Sequence, residues 1–239
     1  MPPMIGQISL VPYNFAPRGW MFCDGTPLPI AENESLFMLI GTTFGGDGEN
    51  TFALPNLTSA APPNLRYCMS LFGNYPINSN YEGILGETIL APKAFAPKNM
   101  MQCAGQSILQ SQAQILYIYM GARFGGDAQH FSLPDLRSKE PKNLQFLIAL
   151  SGDLPDSVRQ RTPYLGEIFL LPYQKPSQSL LICDGTQLPT AQNTALYNLI
   201  GTTFGGGGTV FSLPNLTSVA PTGYSYYIAV RDAVFPPRG

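Results

Sequence analysis

Polar and apolar positions alternate where the chain begins. Gly6-Gln7-Ile8-Ser9-Leu10-Val11 reads with period two, and Gly86 to Leu90 and Gly166 to Leu171 repeat it in outline. That period is the signature of a half-buried β-strand. A Pro-containing loop follows, then a short apolar run: Trp20-Met21-Phe22-Cys23, Met100-Met101-Gln102-Cys103 and Leu180-Leu181-Ile182-Cys183, each stopped by Asp-Gly or Ala-Gly. A second strand running into a tight turn fits this pattern. The period then changes. Leu36, Leu39 and Ile40 fall at i, i+3 and i+4, as do Leu116, Tyr119 and Met120, and Leu196, Leu199 and Ile200. This predicts a helix of about three turns with one apolar face. Ser111 and Thr190 stand at its N-cap, and Gly41, Gly121 and Gly201 stand just past its last apolar position, where a left-handed residue ends helices.

Beyond the helix come Phe44-Gly45-Gly46, Phe124-Gly125-Gly126 and Phe204-Gly205-Gly206, permissive turns with an aromatic anchor. They lead into Phe-x-Leu-Pro, where Pro55, Pro134 and Pro214 predict an ordered but irregular segment rather than a central strand. Apolar runs at Leu65 to Phe72, Leu144 to Leu150 and Tyr224 to Val230 predict a final strand.

One unit is thus written three times. Gly6, Gly86 and Gly166 are 80 residues apart, and so are Cys23, Cys103 and Cys183. Phe52, Phe131 and Phe211 are spaced by 79 and 80, because copy one carries one extra residue after the Gly-rich turn. An indel there marks a surface loop. Asn74 to Gly83 and Asp153 to Pro163 are polar and aperiodic and read as linkers. Each copy is about 70 residues, and units so small bury only about 60% of their unfolded surface, so the copies should pack on one another.

Composition narrows the function. The 239 residues include 13 basic and 15 acidic side chains, a net charge of -2, and charged residues total 12%, about half the share usual in soluble domains. This argues against nucleic-acid binding, which needs a basic surface, and against a polybasic membrane-surface protein. No stretch approaches the roughly 20 apolar residues of a membrane span, so no membrane insertion is expected. The first residues hold no basic region followed by an apolar one, so no secretion signal is expected. Four cysteines at spacings of 45, 35 and 80 match neither a disulfide scaffold nor a zinc motif.

These motifs resemble the phage tail collar domain family, found in short tail fibres of bacteriophages and in the bacterial proteins called microcystin-dependent. The resemblance rests on Gly-x-Ile-x-Leu, on Phe15 to Trp20, on Phe-Cys-Asp-Gly, on Leu-x-x-Leu-Ile-Gly-Thr-Thr-Phe-Gly-Gly and on Phe-x-Leu-Pro-Asn-Leu. It covers nearly the whole chain, three times over. The family's continuation Asp-Leu-Arg survives only at Asp135-Leu136-Arg137, and Trp20 becomes Met100 and Leu180. The resemblance implies an α+β fold, mostly β with one short helix per repeat, in three tandem collar-like domains at 1-76, 82-153 and 163-233. The repeat signature is structural: Cys23, Gly25, Gly41, Gly45, Gly46 and Pro55; Cys103, Gly105, Gly121, Gly125, Gly126 and Pro134; Cys183, Gly185, Gly201, Gly205, Gly206 and Pro214.

The chemical alternatives have simpler counterparts. His130 is the one histidine, and no nucleophile motif accompanies it. Asp24 and Asp184 have Ala104 in copy two, and Asp47 and Asp127 have Gly207 in copy three, so the carboxylates read as turn formers. Gly45 to Gly48 lacks the Lys-Ser/Thr of a P-loop and the alternating acids of an EF-hand. Cys23, Cys103 and Cys183 could converge on a soft metal if the copies share an axis, or be buried apolar thiols; Cys68 aligns with Leu147 and Tyr227, a core position. Trp20, Tyr224, Tyr226 and Tyr227 could stack on sugars or pack in the core. No cofactor, metal or catalytic residue is expected.

The expected function is a non-enzymatic structural or adhesive protein of a tail-fibre-like or appendage assembly. Its partners would be copies of itself, other fibre or appendage subunits, or a cell-surface glycan. It would act in a virion, an injection machine or an extracellular appendage, released by lysis or a dedicated export route. Fibre proteins are often homotrimers, so three copies in one chain could form a pseudo-threefold cap. Residues 1-80 carry 2 basic and 5 acidic residues, 81-160 carry 7 and 7, and 161-239 carry 4 and 3. Ends of -3 and +1 hint at head-to-tail filaments instead. A stand-alone carbohydrate-binding module is the third reading.

Overall fold

The computed structural model describes residues 3–154, 162–174 and 177–238. Copy one contains β1 (Ile8–Val11), β2 (Trp20–Phe22), β3 (Pro27–Pro29), α1 (Glu34–Ile40), β4 (Thr51–Ala53) and β5 (Arg66–Ser70). Copy two repeats this as β6 (Thr88–Pro92), β7 (Met100–Gln102), β8 (Ser107–Leu109), α2 (Gln114–Met120), β9 (His130–Ser132) and β10 (Leu144–Ala149). Copy three gives β11 (Ile168–Leu171), β12 (Leu180–Ile182), β13 (Gln187–Pro189), α3 (Thr194–Ile200), β14 (Gly206–Gly207), β15 (Val210–Ser212) and β16 (Ser225–Ala229). The fold is mostly β with three short helices among the described residues.

In every copy the last strand lies between the first two, all antiparallel: β1-β5-β2, β6-β10-β7 and β11-β16-β12. The sheets of copies one and three join edge to edge where Leu10 faces Ile168, giving six strands. A second ribbon, β3 with β4 and its equivalents, crosses Phe52, Phe131 and Phe211. These residues were expected to be irregular, yet each pairs for three residues before the chain reaches its proline. Pro55, Pro134 and Pro214 lie beyond the ribbon, so no ladder hydrogen bond is lost to them.

Three expectations need correction. The opening strands are not half-buried: every residue of β1, β6 and β11 is buried. One face packs on the copy's own helix and the other on neighbouring copies, so the polar positions of the alternation are enclosed as well. The helices have seven residues, about two turns, not three. Ser111 and Thr190 lie in 3-10 turns ahead of them (Gln110–Gln112, Thr190–Gln192), and the N-cap positions are Asn33, Ala113 and Asn193, without a capping side-chain bond. The 3-10 turn absorbs the first predicted turn because its residues bury nothing and so gain no packing from continuing the α-helix.

The first linker is docked rather than free. Tyr81 is buried, its N–H donates to Asn99 Oδ1 at 2.6 Å, and Ser79 accepts the Lys98 N–H at 2.9 Å. Most of the second, 155–161, lies outside the described residues.

Candidate functional site

The chemistry-bearing residues of this chain gather where the copies meet. Copy one's core takes in Leu90, Phe95 and Leu144 of copy two. Copy two's core takes in Leu170 and Tyr224 of copy three, and copy three's core takes in Leu10 and Leu65 of copy one. The pairs are equivalent by repeat: Leu10, Leu90 and Leu170 stand in the first strands, and Leu65, Leu144 and Tyr224 where the last strands begin.

Gly6, Gly86 and Gly166 make the close approach possible. Each has positive φ, 78°, 73° and 81°, a conformation that costs other residues about 1–2 kcal/mol. A Cβ on Gly86 would lie 2.8 Å from the Tyr173 ring, and one on Gly166 would lie 3.3 Å from Pro12 and 3.5 Å from the Tyr13 ring. At Gly6 the neighbouring copy supplies Phe95, at 3.9 Å. Each glycine therefore faces an aromatic residue from the next copy. Tyr173 also donates to the Leu85 carbonyl and lies 5.3 Å from Tyr119 between ring centroids.

The residue after each of these glycines is polar and almost fully enclosed: Gln7, Glu87 and Glu167. Each side chain folds back on the turn before its strand. Gln7 Oε1 accepts the Met4 N–H at 3.3 Å, Glu87 Oε2 that of Ile84 at 2.9 Å, and Glu167 Oε2 that of Tyr164 at 3.0 Å. Their remaining atoms bridge copies. Gln7 Nε2 donates to the Tyr81 hydroxyl at 3.4 Å, which donates to Glu87 Oε1 at 2.9 Å, while Ser9 donates to Glu167 Oε1 at 3.1 Å. The Thr88 and Tyr224 hydroxyls are 3.1 Å apart. Ser9, Glu87, Thr88 and Glu167 line a cavity of about 40 Å³ between β1, β6 and β11. Buried polar groups satisfied in this way fix the register of the surfaces that hold them.

The signature positions fall as follows. Cys23, Cys103 and Cys183 are buried just past β2, β7 and β12, each in a different apolar cluster, and among the described residues no three Cys, His, Asp or Glu side chains gather as a metal site. Burial pushes the Cys103 thiol up to about 12 and raises those of Cys23, Cys68 and Cys183 well above the ordinary range. Gly25, Gly105 and Gly185 sit in the following turns against Asn56, Asp135 and Asn215. Gly41, Gly121 and Gly201 end the helices with φ of 52° to 61° but ψ near -140° to -160°, outside the left-handed helical well expected for them. Gly45, Gly125 and Gly205 precede Gly46, Gly126 and Gly206, whose bare Cα lies on the ribbon: a Cβ on Gly46 would meet Phe52 Cα at 2.4 Å. Pro55, Pro134 and Pro214 are buried.

The other candidates are structural too. Asp24 and Asp184 each accept a backbone N–H two residues on, at 3.1 and 3.0 Å. Asp47 Oδ1 takes the N–H groups of Glu49, Asn50 and Thr51 at 2.7–3.0 Å, which lowers its carboxyl to about 2. Asp127 does the same for Gln129 and His130, and holds the His130 ring 3.0 Å away. Of the two readings of the aromatics, core packing holds for Trp20, Tyr224 and Tyr227, which are buried, and Tyr226 is partly buried. They face junctions. Trp20 packs edge-on to Tyr164 of copy three, at 6.4 Å; its counterparts Met100 and Leu180 cluster with Met4 and Ile84, the counterparts of Tyr164. The tryptophan is specific to one copy because its partner is.

The motifs that carry this geometry occur in a known family. The description of that family, Phage Tail Collar Domain, matches residues 6–62, 86–141 and 166–221. The chain belongs to the phage tail collar domain family. It carries three tandem collar domains, and collar domains are structural parts of phage tail fibres. No curated protein and no solved structure matches it. Sequence reasoning found the collar signature but missed Gln7, Glu87 and Glu167 and the aromatic residues seated at Gly6, Gly86 and Gly166. A polar residue recurring with period 80 between each opening glycine and the strand after it was the available signal.

Proposed function

We propose that the three collar domains, 1-76, 82-153 and 163-233, close into a pseudo-threefold ring, and that the chain is a one-chain counterpart of a collar trimer. In this reading it is a non-enzymatic structural unit of a tail-fibre-like or appendage assembly. The carrying observation is the sense of the junctions: copy one receives copy two, copy two receives copy three, and copy three receives copy one. A head-to-tail interface that returns to its start makes a closed ring, and one that does not makes a filament. The tails support the same reading. Pro237, in the segment after copy three, accepts the Arg18 N–H of copy one at 2.8 Å, as Ser79, in the linker after copy one, accepts the Lys98 N–H of copy two at 2.9 Å.

Closure uses internally the surfaces that a head-to-tail filament would need, so the filament reading ranks second. Contact with other fibre subunits falls to outer surfaces such as the equivalent helix positions Met38 and Ile118, 71% and 70% exposed. X-ray scattering with sedimentation velocity tests the ring: a compact monomer is expected. An elongated, bead-like monomer would refute it, and ordered filaments in electron micrographs would move the filament reading to first place.

A further inference from the structure

Copy two fills a position that copy one leaves open. In copy two, Glu140 Oε1 accepts the Phe146 N–H at 3.2 Å and the Gln102 side-chain amide at 3.0 Å. The carboxylate sits where the ladder between β7 and β10 stops, because the Cys103 carbonyl turns away to take the Leu136 N–H at 2.8 Å. Copy one has the same backbone. Cys23 donates to the Tyr67 carbonyl at 2.9 Å, and the Cys23 carbonyl takes the Leu57 N–H at 2.7 Å. A residue in an antiparallel strand sends its N–H and C=O to the same side, so the Tyr67 N–H points past β2 as that of Phe146 points past β7. The counterpart of Glu140, however, is Ala61. Among the described residues no group accepts the Tyr67 N–H, and a cavity of about 190 Å³ opens there, lined by Phe22, Asp24, Thr58, Ala61, Arg66 and Tyr67.

The lining has a definite chemistry. The Arg66 guanidinium is braced over the Phe22 ring at 4.7 Å and forms no ion pair among the described residues. A guanidinium and a backbone N–H both give a carboxylate charge-assisted hydrogen bonds, stronger than those between neutral groups. Asp24 spends Oδ1 on the Thr26 N–H and hydroxyl, at 3.1 and 2.5 Å, which leaves its second oxygen for a donor. The cavity is below the size of drug-like sites. Copy three keeps an alanine at Ala220 but has Ser225 and Ile182 in place of Arg66 and Phe22.

We propose that this pocket binds a small hydroxylated carboxylic acid of the uronic acid type, free or at the end of a glycan. Its carboxylate takes the place that Glu140 holds in copy two, on Tyr67 N–H and Arg66, and a hydroxyl donates to Asp24. The proposal stands apart from the ring reading, since the pocket lies within copy one.

The test is calorimetry and saturation-transfer NMR on the full chain with glucuronate, its methyl glycoside, glucose, acetate and a Glu-containing tripeptide. Glucuronate should bind at least tenfold more tightly than glucose, acetate or the peptide. The methyl glycoside should match it if the natural ligand is glycan-borne and fall behind it if the ligand is free. Ala61→Glu, which rebuilds the plug of copy two, and Arg66→Gln should each weaken glucuronate about tenfold or more, with thermal midpoints near that of the parent. Binding that survives both substitutions, or glucose, acetate or peptide binding as well as glucuronate, overturns the proposal. Should Ala61→Glu fold poorly, the exposed Arg66→Gln decides alone.

Discussion

Replacing Tyr173 by alanine tests whether the collar domains stand or fall together. The side chain belongs to copy three, yet it packs against Gly86 and Tyr119 of copy two and donates to the Leu85 carbonyl. It is 2% exposed. Aromatic side chains bury about 150–250 Å², which at about 25 cal/mol per Å² is about 4–6 kcal/mol, and measured aromatic-to-alanine losses are about 3–5 kcal/mol. For a chain of this length each kcal/mol moves the midpoint about 2–4 °C, so Tyr173→Ala should melt about 6–20 °C lower. Tyr173→Phe keeps the ring and strands the Leu85 carbonyl, so it should lose about 1–3 kcal/mol. The assay is calorimetric melting of both variants with amide hydrogen exchange. If the copies form one cooperative unit, the transition stays single and protection falls in copy two as well as copy three. A midpoint within 2 °C of the parent, or a split transition in which copy three melts alone, refutes the reasoning.

Removing residues 234–239 should destabilise the chain by about 2–4 kcal/mol, since Val234 exchanges two hydrogen bonds with Pro163 and Leu165 and Pro237 accepts one from Arg18; melting and faster exchange at Arg18 and Leu165 would show it. Glu140→Ala should lose about 1–3 kcal/mol by leaving the Phe146 N–H without its acceptor, read from denaturant titration. The cysteines should resist a thiol reagent at pH 8 in the native protein and all react once unfolded, because burial raises their thiols, Cys103 to about 12. Asp47 has a folded-state carboxyl near 2 against about 4 unfolded. Its depressed value makes its contribution complete above pH 4 and lost as pH falls through 2. NMR titration should find that midpoint, and Asp47→Ala should flatten the acid limb of stability over that window.

Much of this architecture was legible in the order of residues. The 80-residue period, the two-residue alternation, the helix face at Leu36, Leu39 and Ile40 and the Gly-rich turns are local, and local stereochemistry decides them: only glycine tolerates the backbone at Gly46, and the i, i+3, i+4 spacing sets three apolar side chains on one helix face. The collar signature is a string of such local requirements, which is why it reads directly. What neighbouring copies do to one another was not legible. Ser9 and Thr88 looked like solvent positions, and Tyr224 and Trp20 could be read as core residues without showing which copy would cover them. All are buried because the next copy covers them, and a single copy's pattern cannot encode a surface supplied 80 or 160 residues away. The pocket of copy one belongs to the same class: Ala61 is unremarkable in sequence, and only the fold sets it where Glu140 stands in copy two, beside a backbone N–H and the guanidinium of Arg66. Alternation and turn chemistry are properties of adjacent residues, whereas enclosure and unmet hydrogen bonds depend on which distant surfaces arrive, so tertiary packing alone decided them.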